Sequence, residues 1–182
     1  MNIEVNITPN PKTLKFLIGN GYIFHHGLEF NTLKDAKKFK FSDEIFQIKG
    51  IKSIYIGENF VSVTKNHDIN WNILKTKILT FLLDYIASNK VIIEKQENIK
   101  VSKKTKNKIS VNIQKIIDEK VRPAVARDGG DIVFENFEKG IVYLTLKGAC
   151  AGCPSSTATL KQGIENLLMH YFPEVKEVVA LQ

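Results

Sequence analysis

The residues best equipped for chemistry in this chain are Cys150 and Cys153, the only two cysteines among its 182 residues. They lie in residues 148–156, whose sequence is GACAGCPSS, so that two residues separate them. Two thiols at this spacing can bind one metal centre, can act as a thiol–disulfide pair, or can be buried as small apolar side chains. Which of these roles applies decides what the protein does.

The sequence around the pair favours a role for ionised thiols. A predicted strand ends near Gly148, and a helix is predicted from about Pro154 to Tyr171, with proline at the first helical position. The positive end of the helix dipole stabilises a thiolate and lowers its pKa. Gly148 and Gly152 permit tight turns of the backbone. The pattern therefore predicts a loop that presents two thiolates outward.

Two thiolates make up half of a four-ligand site, because zinc and iron–sulfur clusters commonly bind four protein ligands. The other candidates are His25, His26, His67 and His170, and none has a typical ligand spacing from the pair. A second copy of the chain at a two-fold interface supplies the missing sulfurs most simply, which favours a bridging iron–sulfur cluster. A thiol–disulfide oxidoreductase and a purely structural pair stay open as alternatives.

Length and composition indicate an ordinary globular protein made of two small domains. Hydrophobic residues make up 43% of the chain and charged residues 25%. Two cysteines are too few for a disulfide scaffold, which points to a reducing compartment. The N-terminus has no signal-peptide pattern and no apolar run is long enough to span a membrane, so we expect no membrane partner.

The net charge of +7 does not indicate nucleic-acid binding when its position is considered. The positive excess lies in residues 1–90 and 91–108, whereas residues 109–182, which hold the cysteines, are close to neutral. The basic residues are mostly lysines, without the arginine and aromatic residues typical of a surface that stacks on bases. We therefore expect no nucleic-acid partner.

Residues 1–90 are predicted to form one small domain with an antiparallel sheet and one dominant helix. The alternating apolar pattern predicts strands at residues 1–8, 14–18, 22–24, 51–56 and 60–63, the last two joined as a hairpin at 57–59. A short helix is expected within 32–40, a helical turn with Ser42 as its N-cap follows, and a long helix opens at 68–70. The prolines at positions 9 and 11 are expected to end the first strand.

Residues 91–108 are predicted to be a flexible, lysine-rich linker, because their charge leaves no face to bury. An 18-residue tether of this kind spans roughly 20–25 Å root-mean-square. Its first residues, 91–93, could still pack on the first domain.

Residues 109–182 are predicted to form the second domain of an α+β fold. It begins with a helix that Pro123 kinks or breaks and that ends at residues 128–131, where two glycines permit positive φ. Strands at 132–137 and 141–147, the helix after the cysteines and a last strand at 175–181 follow. The predicted buried faces of the two helices are Ile109, Ile113, Ile116, Ile117, Val121 and Ala124 in the first, and Leu160, Ile164, Leu167, Leu168 and Tyr171 in the second.

Arg122 and Arg127 are the only arginines in a chain of 24 lysines. Arginine differs from lysine in its planar, bidentate guanidinium group, which suits carboxylates. We expect these arginines to make an ion pair within their domain, although the sequence does not define their role.

Several blocks of this sequence resemble the Nfu family of iron–sulfur cluster carrier proteins. In the second domain these are the DGGD block at residues 128–131, the cysteine block and the residues after it. In the first domain they are the TPNP block at 8–11, residues 50–53 and 61–65, and Trp71. The resemblance covers nearly the whole chain apart from the linker.

The resemblance implies a non-enzymatic scaffold or carrier that holds a 4Fe–4S cluster, with 2Fe–2S possible, between two subunits. It implies that Cys150 and Cys153 bind the cluster, which comes from upstream assembly proteins and passes to apo iron–sulfur client proteins. It also implies that the first domain helps client recognition or handover. We expect a bacterial cytoplasmic protein, because the chain begins directly at the first strand, or a mitochondrial matrix protein if a transit peptide has been removed.

Overall fold

The structure is a computed structural model of the chain, and it describes residues 2–23, 27–88, 91–92, 107–153 and 157–181. Two separate hydrophobic cores organise these residues. We call the described residues up to 92 the first unit and those from 107 onward the second unit. Helices and mainly antiparallel sheets occur in both, so the predicted α+β class is confirmed.

The first unit is a five-stranded sheet with three helices. All neighbouring strands are antiparallel, in the order β1-β2-β5-β4-β3. The predicted hairpin is confirmed as the pair β4–β5. In chain order the elements are β1 (Glu4–Ile7), β2 (Thr13–Leu17), β3 (Leu28–Phe30), α1 (Leu33–Ala36), α2 (Lys40–Phe46), β4 (Ile51–Ile56), β5 (Phe60–Lys65) and α3 (Trp71–Ala87).

The two faces of this sheet differ in polarity because its strands alternate apolar and polar residues. The apolar face packs with α3 and the other helices into the first core, which includes Leu14, Phe16, Ile54, Ile56, Val61 and Val63 from the strands. The opposite face carries mainly polar residues, namely Thr13, Lys15, Tyr55, Ser62 and Thr64. Residues of the second unit cover this polar face.

Two details of the first unit differ from the sequence prediction, and the start of its long helix agrees with it. Ser42 is not an N-cap: α2 begins at Lys40, and the buried Ser42 hydroxyl donates to the carbonyls of Ala36 (2.5 Å) and Phe39 (2.9 Å). The long helix opens at residues 68–70 as predicted: Asn70 is its N-cap, the Asn70 side chain accepts from the Asn72 N–H, and the first helical residue is Trp71.

The second difference concerns the strand predicted at residues 22–24. The strand in this part of the sheet is β3 at Leu28–Phe30, and residue 24 lies outside the described residues. The short helix predicted within 32–40 is confirmed as α1, whose N-cap is Thr32.

The second unit packs three helices and a π turn against a three-stranded sheet. Its strand order is β6-β7-β8, in which β7 pairs antiparallel with β6 and parallel with β8. Its elements are α4 (Lys108–Ile116), a π turn (Ile117–Val121), α5 (Arg122–Arg127), β6 (Gly130–Glu138), β7 (Ile141–Gly148), α6 (Thr157–Tyr171) and β8 (Glu177–Leu181).

The predicted break near Pro123 is confirmed, and it takes the form of the π turn before α5. Buried residues recur every four positions through this region, at Ile113, Ile117, Val121 and Val125. In an α-helix with 3.6 residues per turn, residues four positions apart drift gradually around the helix and away from the core. The π turn holds more residues per turn, so it brings the later members of the stripe back to the core. For this reason Val125 is buried, and the prediction that Ala124 is buried was wrong.

The buried stripe predicted for α6 is correct in its centre and wrong at its end. Ile164 and Leu168 are buried, and Leu160 and Leu167 pack partly against the same core. Tyr171 is 44% exposed. It is the last residue of α6.

Between the units, Ile92 belongs to the first core and its N–H donates to the Tyr22 carbonyl (2.8 Å), so the start of the predicted linker packs on the first unit. Lys108 already belongs to α4. The rest of the predicted linker, residues 93–106, lies outside the described residues. Over the part of the chain that the structure describes, no helix is long and apolar enough to cross a membrane.

Candidate functional site

The two cysteines lie on a tight loop that leaves the end of β7. Gly148 and Gly152 both have positive φ, and the Ala151 N–H donates to the Gly148 carbonyl (3.1 Å). A Cβ on Gly148 would lie 2.7 Å from the Gly129 carbonyl oxygen, so this turn also requires glycine for space. The predicted role of these two glycines is confirmed. We call residues 148–153 the cysteine loop.

Cys150 packs into the second core and is only 6% exposed. Gly130 makes room for it, because a Cβ there would overlap the Cys150 sulfur and would lie 3.0 Å from the Lys147 carbonyl oxygen. The sequence predicted positive φ for both glycines of residues 128–131. Only Gly129 has it, at +80°, and Gly130 is needed for the close approach of the sulfur.

Cys153 is covered by the first unit. Cys153 is only 1% exposed, and its thiol donates to the Pro9 carbonyl oxygen, with the sulfur 3.6 Å from that oxygen. Next to it, the Asn10 side-chain amide donates to the Ala149 carbonyl (3.2 Å). The prediction that the loop presents its thiols outward was therefore wrong for this conformation, because the TPNP turn at residues 8–11 lies over it.

Burial also reverses the expected ionisation of Cys150. Desolvation raises the pKa of its thiol to about 12, with further contributions from the charges of Asp128, Cys153 and Asp131. The sequence predicted a lowered pKa from a helix start at Pro154; that residue lies outside the described residues, in which α6 runs from Thr157 to Tyr171. In this conformation the Cys150 thiol is neutral at physiological pH. It is suited neither to nucleophilic attack nor to metal binding, both of which need the thiolate.

Of the four histidines considered as additional ligands, the two that the structure describes, His67 and His170, do not join the pair. His67 is exposed and lies 3.4 Å from the Asp68 carboxylate, and His170 stacks edge-on against Tyr171 at the end of α6. His25 and His26 lie outside the described residues. Within the described ranges, no three His, Cys, Asp or Glu side chains are grouped so that they could hold a metal ion.

The polar face of the five-stranded sheet forms the other side of the site. Four residues, one from each of β2, β5, β4 and β3, are paired in register across the sheet. We call this line the polar row; its members are Lys15, Ser62, Tyr55 and Glu29. Although the face is polar, Ser62 is 1% and Tyr55 4% exposed, because the second unit packs against it.

Each member of the polar row makes a hydrogen bond to the second unit. Lys15 donates to the carbonyls of Ala126 (2.9 Å) and Arg127 (3.3 Å). Ser62 donates to the Gly129 carbonyl (2.6 Å) and Tyr55 to the Asp131 carboxylate (2.9 Å). Glu29 accepts from the Gly148 N–H at 2.8 Å. The row therefore follows the backbone of residues 126–131 and reaches the first residue of the cysteine loop.

The charges of this interface shift two further pKa values. The pKa of Tyr55 is raised well above its usual value, first by burial and then by the charge and hydrogen bond of Asp131. The pKa of Lys15 is lowered by burial, against the opposing effects of Asp128 and Glu4. Burial is the largest cause of both shifts, and both side chains lie at the contact between the two units.

Arg122 confirms the expected ion pair within the second unit. Its guanidinium lies 3.1 Å from both Asp118 and Asp131 and donates to the Ile132 carbonyl (3.0 Å). It thereby fixes the carboxylate that accepts from Tyr55. The Arg127 side chain is exposed, and its backbone carbonyl contacts Lys15.

Sequence reasoning missed the residues of the first unit that touch the site. It treated residues 8–11 as the end of a strand and as a block shared with the Nfu family, and predicted no contact between them and the cysteines. In the structure the buried Thr8 hydroxyl donates to the carbonyls of Asn10 and Thr13, and Asn10 Oδ1 accepts from the Lys12 N–H, which fixes the turn over the cysteine loop. The available signal was Thr8 and Asn10 themselves, whose side chains can bond their neighbouring backbone in a turn.

Comparisons with known proteins match both parts of the chain. Residues 3–89 match the family described as "Scaffold protein Nfu/NifU N terminal", and residues 113–179 match the "NifU-like domain" family. A solved structure of a NifU-like protein from Saccharomyces cerevisiae is 25% identical, with a TM-score of 0.46, and the match covers 53% of this chain and 87% of that one.

Two curated relatives extend over nearly the whole chain. The human protein named NFU1 iron-sulfur cluster scaffold homolog, mitochondrial, is 37% identical over 98% of this chain and 71% of its own length. The NifU-like protein 4, mitochondrial, of Arabidopsis thaliana is also 37% identical, over 98% of this chain and 65% of its own length. The chain belongs to the Nfu/NifU family of iron–sulfur cluster scaffold proteins.

Proposed function

We propose that this protein carries a 4Fe–4S cluster between two copies of the chain and passes it to apo iron–sulfur proteins. Cys150 and Cys153 of each copy bind the cluster through their thiolates. A 2Fe–2S cluster, which also needs four sulfur ligands, fits the same pair of loops. The family supports a scaffold role, and the chemistry of the two thiols supports these residues as its ligands.

The observation that carries this proposal is the incompleteness of the site. One chain supplies two thiols on one loop, and the described residues hold no further group that completes a metal site. A two-fold axis beside the loop turns two ligands into four. Such a cluster is held only at an interface, so a client's thiolates can displace the ligands one by one.

The remaining roles follow from this arrangement. The protein acts as a carrier and not as a catalyst, it receives the cluster from upstream assembly proteins, and its first unit, residues 1–90, takes part in handover to the client. Residues 91–108 join this unit to the cluster-binding residues 109–182. The relatives are named as mitochondrial proteins, which favours the mitochondrial matrix over the bacterial cytoplasm as the location.

Anaerobic reconstitution with iron and sulfide tests the proposal. We expect a brown protein with about two iron atoms per chain, which is one four-iron cluster per dimer. Cys150→Ala and Cys153→Ala should each abolish iron binding and dimer formation. His170→Ala is the control, because His170 is exposed and lies in the last turn of α6, and it should retain the iron.

A wild-type protein that stays colourless and monomeric after reconstitution would contradict the proposal. If that protein instead reduced the disulfides of insulin, the thiol–disulfide oxidoreductase alternative would replace it. Retention of iron by both cysteine variants would show that other residues bind the metal.

A further inference from the structure

The conformation described above is incompatible with a cluster shared between two copies. Cluster ligands must reach iron from the surface of each chain, yet Cys153 is 1% exposed and its sulfur contacts the Pro9 carbonyl of the first unit. Cys150, at 6% exposed, lies beside a small cavity of about 50 Å³ that Pro9 also lines. The first unit therefore occupies the space that a second copy or a client would need.

The contact is extensive and follows the sequence of the second unit in order. The polar row bonds to Ala126, Arg127, Gly129 and Asp131 in turn, and Glu29 and Asn10 bond to the two residues just before Cys150. From the other side, the Lys147 ammonium donates to the Gly27 carbonyl (3.0 Å). An accidental contact between two units would not satisfy buried polar groups so completely.

Glycines of the second unit fit the shape of this surface. A Cβ on Gly129 would lie 2.8 Å from the Ser62 hydroxyl oxygen and 3.2 Å from Lys15 Cβ. A Cβ on Gly148 would lie 3.1 Å from the ring of Tyr55. The absence of side chains at these two positions therefore allows the sheet to approach the cysteine loop closely.

We propose that the polar row and the TPNP turn form a docking surface for the cysteine loop of the same chain, which covers both thiols while no cluster is bound. Cluster binding then requires the first unit to leave the loop. We call the docked arrangement the closed conformation. This inference rests on the proposed function, because it assumes that the covered thiols are the cluster ligands.

The energetics of the contact fit a reversible cover. It consists mainly of hydrogen bonds to backbone carbonyls, and such bonds exchange with water at a small net cost each. Cluster binding by a second copy can therefore displace the first unit from the cysteine loop, because the contact between them is neither covalent nor dominated by apolar burial.

The rate of thiol labelling in the full-length, reduced, metal-free protein tests the inference. We expect the two cysteines to react with a maleimide far more slowly than in the urea-unfolded chain. The double variant Tyr55→Phe/Ser62→Ala removes two hydrogen bonds of the polar row and should raise the labelling rate about 25-fold, because each bond contributes about a factor of five to the closed population. Thr76→Ala/Ser88→Ala, which removes two hydroxyl bonds on the exposed surface of α3, is the matched control and should label at the wild-type rate.

A second variant guards against an effect on folding. Glu29 lies on the edge strand β3, and Glu29→Ala removes only its hydrogen bond to the Gly148 N–H. We expect it to raise the labelling rate while the thermal unfolding temperature of the first unit stays the same. Equal labelling rates in all variants and wild type, or a wild-type rate equal to that of the unfolded chain, would overturn the inference.

Iron binding by the same samples separates this inference from the proposed function. If the wild type binds iron through its cysteines but labels at the unfolded rate, the closed conformation is wrong and the carrier function stands. If the labelling rates follow the prediction but no sample binds iron, the cover exists and the proposed function is wrong. If both are right, Tyr55→Phe/Ser62→Ala should take up the cluster faster than the wild type.

Discussion

The two faces of the five-stranded sheet are both buried, but they are buried by different chemistry. The face toward α3 is apolar, with Phe16, Ile56 and Val61 fully buried in the first core. The opposite face carries the polar row, and Ser62 and Tyr55 are nearly as inaccessible. The first face is covered by its own unit, whereas the second is covered by the loops that precede and contain the cysteines.

This difference indicates which contact holds the fold and which one can be released. Burial of an apolar side chain contributes about 1.5–3 kcal/mol, and its exposure to water is not compensated. A hydrogen bond across the polar face contributes about 0.5–1.5 kcal/mol net, because water replaces it after separation. The apolar face should therefore control the stability of the first unit, and the polar face should control access to the thiols.

The largest expected effect comes from the apolar face. Ile54→Ala should destabilise the first unit by about 2–5 kcal/mol, because Ile54 is 1% exposed and truncation leaves a cavity. At the neighbouring position in β4, Tyr55→Phe nearly preserves the side-chain volume and removes one hydrogen bond to the second unit. It should therefore lower the free energy of unfolding by about 1 kcal/mol or less. Urea unfolding followed by fluorescence of Trp71, the only tryptophan, measures both. Equal costs would remove the distinction between the faces.

The next largest effects come from the adjacent residues Gly129 and Gly130. Substitution of Gly130 should act inside the second unit, whereas substitution of Gly129 should act at the contact between the units. Gly130→Ala should displace the Cys150 sulfur and abolish iron binding, because the new Cβ overlaps that sulfur inside the second unit. The first unit should be unaffected, so the unfolding transition of Trp71 should not move. A Gly130→Ala protein with normal iron binding would show that the Cys150 position tolerates the shift.

Gly129→Ala should act at the contact between the units instead. It combines a positive φ, which costs an L-residue about 1–2 kcal/mol, with a Cβ 2.8 Å from the Ser62 hydroxyl oxygen. We expect faster thiol labelling with iron binding retained. Gly163→Ala in α6 is the control, since nothing lies within 4 Å of its Cβ; it should stabilise by about 0.5–1 kcal/mol and leave labelling unchanged.

The smallest effect is a pH dependence of the polar face. Burial and Asp131 raise the pKa of Tyr55, so the closed conformation binds its phenolic proton more tightly than the open one. The Tyr55 contribution is therefore complete below pH 10 and is lost above it, by at most about 1.4 kcal/mol per pH unit. Lys15, whose pKa is lowered, acts in the opposite direction. The radius of gyration by small-angle X-ray scattering should rise above pH 10 more in the wild type than in Tyr55→Phe; equal curves would contradict this role.

Much of the local structure was predictable because it depends on short-range patterns. The alternation in residues 51–56 and 60–63 predicted the β4–β5 hairpin, and Pro123 predicted the break before α5. The π turn was not predictable, since it serves the packing of a stripe repeated every four residues. Ser42 was misread because a serine before two acids resembles an N-cap, whereas its hydroxyl bonds carbonyls of the preceding turn.

The sequence by itself determined that Cys150 and Cys153 form an isolated pair on a glycine-rich loop, because spacing and residue type need no partner to be recognised. It also determined that one face of the first sheet is polar. Only the tertiary structure decided that this polar face lies on the cysteine loop and that both thiols are buried, with the pKa of Cys150 raised. These properties arise from contacts between residues more than 60 positions apart in the chain, which no local pattern encodes.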